Sequence, residues 1–296
     1  MRITFNSTTR DGMADLQRAA SQMATYQRQV SSGKRIHRPS DDPSAAAAAV
    51  GERAEMATLD RYDEAADTAD ARLRAADAIL SDVVTQITAA RVAVQSGRGS
   101  VATQAQREAA AAELEAVAAA IFSDIGASLG GSYLFSGTAS TTAPYTKTGG
   151  VVSAYQGNGA GLAVDVDRNV SVQVSFDARE IVAPAGTDVF AILGGLAAAV
   201  RGGDEAAIQA GLDQLAPVFD AAVRVQSKVG NAFRTIDGQR DRLEALGLAS
   251  ESRLSALEDA NMAAAISGLE NSETVYRAAL QSIGAAARLS LLDYLK

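Results

Sequence analysis

The residues best equipped for chemistry cluster between positions 31 and 44, SSGKRIHRPSDDPS, which hold the chain's single histidine, His37, beside Lys34, Arg35, Arg38, Asp41 and Asp42. Imidazole and carboxylate are ligands for zinc or manganese, so His37 with Asp41 and Asp42 is a candidate metal cluster. Ser31-Ser32-Gly33-Lys34 has the S-x-x-K spacing that sets a lysine one helical turn beyond a nucleophilic serine. Ser40-Asp41-Asp42 and Lys147-Thr148-Gly149 follow in the order of the S-D-N and K-T-G elements that accompany that motif. Residues 126–130, GASLG, fit the G-x-S-x-G nucleophile elbow, and the glycines of GNGAG, residues 157–161, could cradle a phosphate.

Each reading fails on what surrounds it. A metal cluster is interrupted by Pro39, has no second histidine, and competes with a simpler role for Asp42 as a helix cap. Penicillin-recognising serine enzymes need their lysine at a buried helix start, whereas Ser31 stands at a helix end beside Gly33. The S-D-N position also carries Asp42, and the first two elements are too close together to lie on separate structural units. GASLG is preceded by a helical pattern rather than a strand, and the only histidine lies far upstream. A strand pattern follows GNGAG, so a hairpin turn is expected there instead of a phosphate site. The expectation is therefore no catalytic, cofactor-binding or metal residues, no cofactor, and a protein that is not an enzyme.

Composition narrows the class further. Among 296 residues tryptophan and cysteine are absent, aromatics reach 5%, and alanine dominates the 47% apolar fraction, which favours close-packed helices over a bulky core. A net charge of -8, with no Lys/Arg block interleaved with aromatics, argues against nucleic acid as a partner. The lack of cysteine excludes disulfides and thiolate chemistry. No apolar stretch is long enough for membrane insertion. MRITFNSTTRDGM lacks the pattern of a cleaved signal peptide, so export, if it occurs, is expected by another route.

The elements that must position the 31–44 cluster read as long helices. A first helix is expected after a turn-like NSTTRD, with a seam at Met13, Leu16, Ala20, Met23, Gln27 and Val30 that one glutamine interrupts. Gly33 stops it, Pro39 keeps Arg38 out of helical geometry, and Asp42-Pro43 caps and starts the next helix. That second helix should run to the SGRGS break at 96–100, about 80 Å, with Leu59, Tyr62, Ala66, Ala69, Leu73, Ala76, Leu80, Val83, Ile87, Ala90 and Val94 in strict 3-4 spacing. A third, bearing Leu114, Val117, Ile121 and Ile125, is expected to reach about residue 129. Residues 130–184 turn to glycine, threonine and valine, and VSVQVSF puts Val170, Val172, Val174 and Phe176 on one side of a strand.

Helix returns after Thr187-Asp188, and from Ile208 to Leu257 a 4-3 seam runs unbroken, with Pro217 marking a start or a kink. The register slips by one at EDAN, residues 258–261. A new series then carries Met262, Ile266, Leu269, Glu273, Tyr276, Leu280 and Ile283. Two joints, at 31–44 and 258–261, thus isolate two terminal helices. The fold expected is mainly α: a long antiparallel helical hairpin or coiled-coil shaft formed by both chain ends, with a small β-rich outer domain inserted in the middle. Its parts are 1–43 with 258–296 as a terminal helical domain, 44–131 with 187–257 as a helical shaft, and 132–186 as the β-rich domain. The terminal pair buries mostly alanine and should be marginally stable alone.

SSGKRIHRPSDDPSAAA after a first helix, YLFSGT at 133–138, AYQGN at 154–158 and the ending ALQSIGAAARLSLLDYLK together resemble the bacterial flagellin superfamily, in particular its hook-filament junction proteins, over essentially the whole chain. Relatives more often carry asparagine where His37 stands. The resemblance implies a structural subunit exported unfolded through the flagellar type III apparatus, without a cleaved signal peptide, and located outside the cell. It implies as partners the first hook-associated protein, flagellin, further copies of itself in a junction ring, and a cytoplasmic export chaperone. A filament flagellin is the alternative, a penicillin-recognising serine enzyme the remote one. Interaction residues expected in the assembly helices are Met13, Leu16, Met23, Val30, Ile266, Leu269, Tyr276, Leu280, Ile283, Leu291 and Leu292. The inter-domain joint is expected at Gly33, Arg35, Arg38, Pro39, Asp41, Asp42 and Pro43, its charged residues contacting neighbouring subunits.

Overall fold

A computed structural model describes the backbone of residues 5–99, 102–184, 186 and 188–294, and within that range the side chains between 10 and 285. The fold is mainly helical, with small antiparallel sheets confined to the middle of the chain. Seven helices occur among the described residues: α1 (Phe5–Ser32), α2 (Pro43–Gly97), α3 (Gln104–Ile125), α4 (Arg179–Val182), α5 (Val189–Gly202), α6 (Glu205–Glu258) and α7 (Met262–Tyr294). Between α3 and α4 lie β1 (Ser128–Leu129), β2 (Ser132–Tyr133), β3 (Lys147–Thr148), β4 (Val151–Val152), β5 (Ala163–Asp167) and β6 (Val170–Gln173), paired β1 with β2, β3 with β4 and β5 with β6. No helix among the described residues is long and apolar enough to cross a membrane. The chain divides into two compact units, Met1–Thr58 with Leu246–Lys296, and Leu59–Ala245.

In the second unit the long seams do what their spacing demands. Leu73, Leu80, Val83 and Ile87 of α2 are fully buried, as are Leu114, Ile121 and Ile125 of α3 and Ile208, Leu215, Val229 and Ile236 of α6. Successive α6 positions seven apart thus stay in the core, which a 3.5-residue period requires. Ion pairing of Arg240 with Asp67 and a hydrogen bond from Gln226 to Asp77 set α6 antiparallel to α2 in this unit. Helix starts follow capping chemistry: Thr103 and Gln106 form a capping box at α3, and the Asp188 and Asp204 carboxylates accept the Phe190 and Ala207 amides.

Four sequence expectations are corrected. NSTTRD is not a turn but part of α1. α3 ends at Ile125 rather than 129, because the Gly130-Gly131 pair, both at positive φ, folds 128–133 into a tight hairpin. Pro217 lies inside α6, three turns past a start set by the Asp204 cap. GNGAG is not a hairpin turn. Asn158 instead reaches across the chain, accepting from the Thr138 amide at 2.8 Å and donating to its hydroxyl at 2.6 Å, while the Tyr155 hydroxyl lies 3.1 Å from the Phe135 carbonyl. A side chain at Gly137 would collide with the Asn158 carbonyl at 2.2 Å, so glycine is required there. YLFSGT and AYQGN therefore form one packed knot.

A Cβ on Gly97 would stand 2.6 Å from Val200 Cγ1 and 2.9 Å from Ala110 Cβ. Gly97→Ala should destabilise the second unit by about 1–3 kcal/mol through overpacking. Urea titration checks this: the midpoint falls and the slope is unchanged.

Candidate assembly interface

α1 and α7 pack against each other in the first unit. A Cβ on Gly12 would touch Ile283 at 3.2 Å, and one on Gly268 would meet the Tyr26 ring at 2.6 Å, so the helices run antiparallel and approach closely where side chains are missing. The contact stripe of α1 is Gly12, Leu16, Ala19, Met23, Tyr26 and Val30, and that of α7 is Ala265, Leu269, Ser272, Tyr276, Ala279 and Ile283. Leu16, Met23, Val30, Leu269, Tyr276 and Ile283 face the partner helix. Met13, Gln27, Ile266 and Leu280 are exposed, each one residue beyond the half-buried or buried Gly12, Tyr26, Ala265 and Ala279, while Ala20 and Glu273 are half-buried beside the buried Ala19 and Ser272. At Gly12, Ala265 and Ala279 close approach selects a small residue, where pattern reading favours the larger neighbour.

The consequence is that Met13 is 59% exposed, Ile266 44% and Leu280 45%, with Met262 and Val275 also open to solvent. Leu291 and Leu292 lie in α7 but outside the residues whose side chains are described.

The two joints meet. Gly33, at φ 72°, ends α1, and Lys34 bridges Asp259 in antiparallel fashion: the Arg35 amide donates to the Glu258 carbonyl at 2.6 Å, and the Ala260 amide to the Gly33 carbonyl at 2.8 Å. The Glu258 side chain, nearly buried, receives Lys34 Nζ at 2.8 Å and Arg53 Nη2 at 2.5 Å. Arg35 spans the joint, donating to the Leu257 carbonyl at 2.8 Å and to Asp42 at 3.2 Å. Asp42 caps α2 by accepting the Ala45 amide at 3.0 Å, with Pro43 as the first helical residue, and Asn261 caps α7 through the Ala264 amide. Asp41 accepts the His37 and Arg38 amides, while Arg38 and Pro39 are exposed.

Lys34, Arg35, Asp41 and Asp42 are thus engaged within their own chain. Sequence reasoning missed Glu258 and Arg53. Glu258 stands at the first position of the EDAN slip, which was the available signal.

The enzyme-like patterns do not assemble. Lys34 is held by Glu258, and Ser31 donates to the Arg28 carbonyl at 3.0 Å. Ser32 Oγ lies 2.6 Å from His37 Nε2, but it also bonds the Arg28 carbonyl at 2.8 Å, and Asp41 holds the His37 backbone rather than its ring. That leaves an exposed Ser32–His37 contact in which, among the described residues, no carboxylate is hydrogen-bonded to the ring to orient a base. Ser128 is an exposed residue of β1. No group of three or more potential metal-binding side chains occurs among the described residues.

Two long terminal helices thus pack antiparallel, are joined at a clasp and leave large apolar side chains open to solvent. The family model of the bacterial flagellin N-terminal helical region matches residues 3–140. The chain is also similar to flagellar hook-associated protein 3. It is 24% identical over 324 aligned positions, covering 100% of both chains, to the protein of that name from Escherichia coli K12. Its fold is shared with the FlgL crystal structure from Xanthomonas campestris, at a TM-score of 0.61 and 17% identity over 69% of this chain and 99% of that one. It is shared also with the flagellar junction protein FlgL from Legionella pneumophila, at 0.59 and 14% identity over 72% and 100%.

Glu258 is held below its ordinary value of 4.5, first by the Lys34 hydrogen bond and against the opposing effect of burial. Asp42 is lowered to about 2 by the Ala45 amide, the Ser44 hydroxyl and Arg35. Carboxyls with depressed folded values stabilise the joint above their unfolded values and release that stability as pH falls through the folded ones. The joint should therefore be intact at neutral pH and loosen progressively from about 4.5 towards about 2. Glu258→Gln, which leaves Lys34 and Arg53 without a counter-charge, should cost about 1–2 kcal/mol locally. Hydrogen exchange at the Arg35 and Ala260 amides checks both, with roughly tenfold faster exchange expected in the variant at neutral pH.

Proposed function

We propose that this chain is a structural subunit of the bacterial flagellum that joins the hook, through the first hook-associated protein, to the flagellin filament, and that it has no active site. The observation that carries this reading is the exposure of Met13, Ile266 and Leu280 on a helix pair whose best-buried described side chains are the small Ala19, Ala265 and Ser272. Exposed apolar side chains of this size mark surfaces that association covers. The full-length likeness to a hook-associated protein supports the same reading. The terminal helical part, 1–43 with 258–296, then supplies contacts in the assembled state. Residues 44–131 with 187–257 form the second helical part, and 132–186 a β-rich part.

The partners are the first hook-associated protein, flagellin and further copies of this chain, with an export chaperone on α7 beforehand. The protein acts outside the cell after export in an unfolded state, which a chain without cysteine permits.

Leu280→Asp should abolish incorporation into flagella and leave hooks that shed flagellin, while the melting of the second unit is unchanged because Leu280 makes no part of its core. Electron microscopy of mutant cells and thermal unfolding of the purified variant check this. Normal filament attachment would count against the reading.

A further inference from the structure

Of the six asparagines in the chain, Asn158 alone is followed by glycine. In such a pair the glycine amide, with no Cβ beside it, can reach the carboxamide carbon of the asparagine. Attack of the Gly159 nitrogen on Asn158 Cγ forms a C–N bond and closes a five-membered succinimide, while the amide proton leaves with Nδ2 as ammonia. Water then opens the ring at either carbonyl and leaves aspartate or isoaspartate at 158. The balance is one water taken up and one ammonia released, with no oxidant, cofactor or enzyme.

In the folded chain every polar group of Asn158 is engaged. Its amide donates to the Ser136 carbonyl at 3.2 Å, and its carbonyl accepts the Tyr155 hydroxyl at 3.1 Å. Oδ1 accepts the Thr138 amide at 2.8 Å, and Nδ2 donates to the Thr138 hydroxyl at 2.6 Å. The residue is exposed, so water is at hand and these bonds, rather than burial, hold the side chain. Turning Cγ towards the Gly159 nitrogen breaks both side-chain bonds. Each member of the pair has a structural reason to be there. A carboxamide, unlike a carboxylate, both accepts from the Thr138 amide and donates to its hydroxyl. A Cβ on Gly159 would stand 3.0 Å from Arg179 Nη2 and 3.4 Å from Asp177 Oδ2.

We infer that Asn158 is a self-modification site that the knot keeps closed: the chain converts while it is unfolded and is preserved once the middle region has folded. Conversion of the native chain then proceeds only through local opening of the knot. The products fit the knot less well. Aspartate keeps an acceptor for the Thr138 amide but has no Nδ2 donor, and isoaspartate adds a carbon to the main chain beside Gly159. Time spent unfolded thereby limits the supply of chains that can form the knot. This inference does not depend on the structural-subunit reading and stands or falls apart from it.

Trypsin releases residues 148–168 as one peptide in which Asn158 is the sole asparagine, so mass spectrometry reads the amide-to-acid change directly. With the purified full-length chain at mildly alkaline pH, conversion in concentrated urea should be roughly tenfold or more faster than in buffer. Equal rates overturn the inference. Thr138→Val, which removes the acceptor of Nδ2, should raise the rate in buffer roughly threefold or more and leave the rate in urea unchanged, and Thr138→Ser should restore protection. A Thr138→Val rate in buffer equal to that of the natural chain overturns it too. Gly159→Ala, read in urea where folding plays no part, should convert roughly tenfold or more slowly because the added Cβ hinders the attacking amide. An unchanged rate there shows that the Gly159 nitrogen is not the nucleophile and overturns the assignment whatever the other variants do.

Discussion

A nearly buried carboxylate fixes the geometry of the first unit. Glu258 is the last residue of α6, and its two oxygens take Lys34 from the loop after α1 and Arg53 from α2, while its carbonyl accepts the Arg35 amide. Chain segments more than 200 residues apart in sequence are therefore tied at one point. Where α1 ends and where α7 begins are set together. Given that anchor, the antiparallel register of α1 and α7 follows, and Gly12 and Gly268 allow the helices to come close along it. A pair with its clasp elsewhere would put different side chains inward.

The two units solve the packing problem in opposite ways. Leu59–Ala245 buries Leu, Ile and Val from several helices, Val172 of β6 and the loop residues Phe135 and Phe176 in one continuous core. In the α1 and α7 pair the best-buried described side chains are Ala19, Ala265 and Ser272. Each contributes little transfer free energy, about 1 kcal/mol or less for an alanine methyl. Larger apolar groups on the same helices are left outside. A pair built this way is stabilised most when something covers the outer residues, which is what the proposed assembly would do.

How much of this was legible depended on what selects the residues. The α2 and α6 seams could be read because burial there selects for size: Leu73, Leu80 and Ile87, and Ile208, Leu215 and Ile236, are both the most apolar and the most buried. The joint's local grammar was also legible, since Gly33, Asp42 and Pro43 act through backbone conformation and capping within their own neighbourhood. The terminal seams were read one residue off in alternate turns because close approach rewards Gly12, Ala19 and Ala279, whereas pattern reading favours Met13, Ile266 and Leu280. Glu258 was missed because its partners, Lys34 and Arg53, are distant in sequence. The knot of Tyr155, Asn158 and Gly137 was likewise out of reach, although its two strings of residues were noticed separately.

The most direct test is a density map of the assembled hook-filament junction, resolved well enough to place side chains. The account predicts this chain between hook and filament, with Met13, Ile266 and Leu280 buried against neighbouring subunits and Glu258 still holding Lys34 and Arg53. A junction in which those three side chains face solvent, or in which this chain is absent, would contradict it.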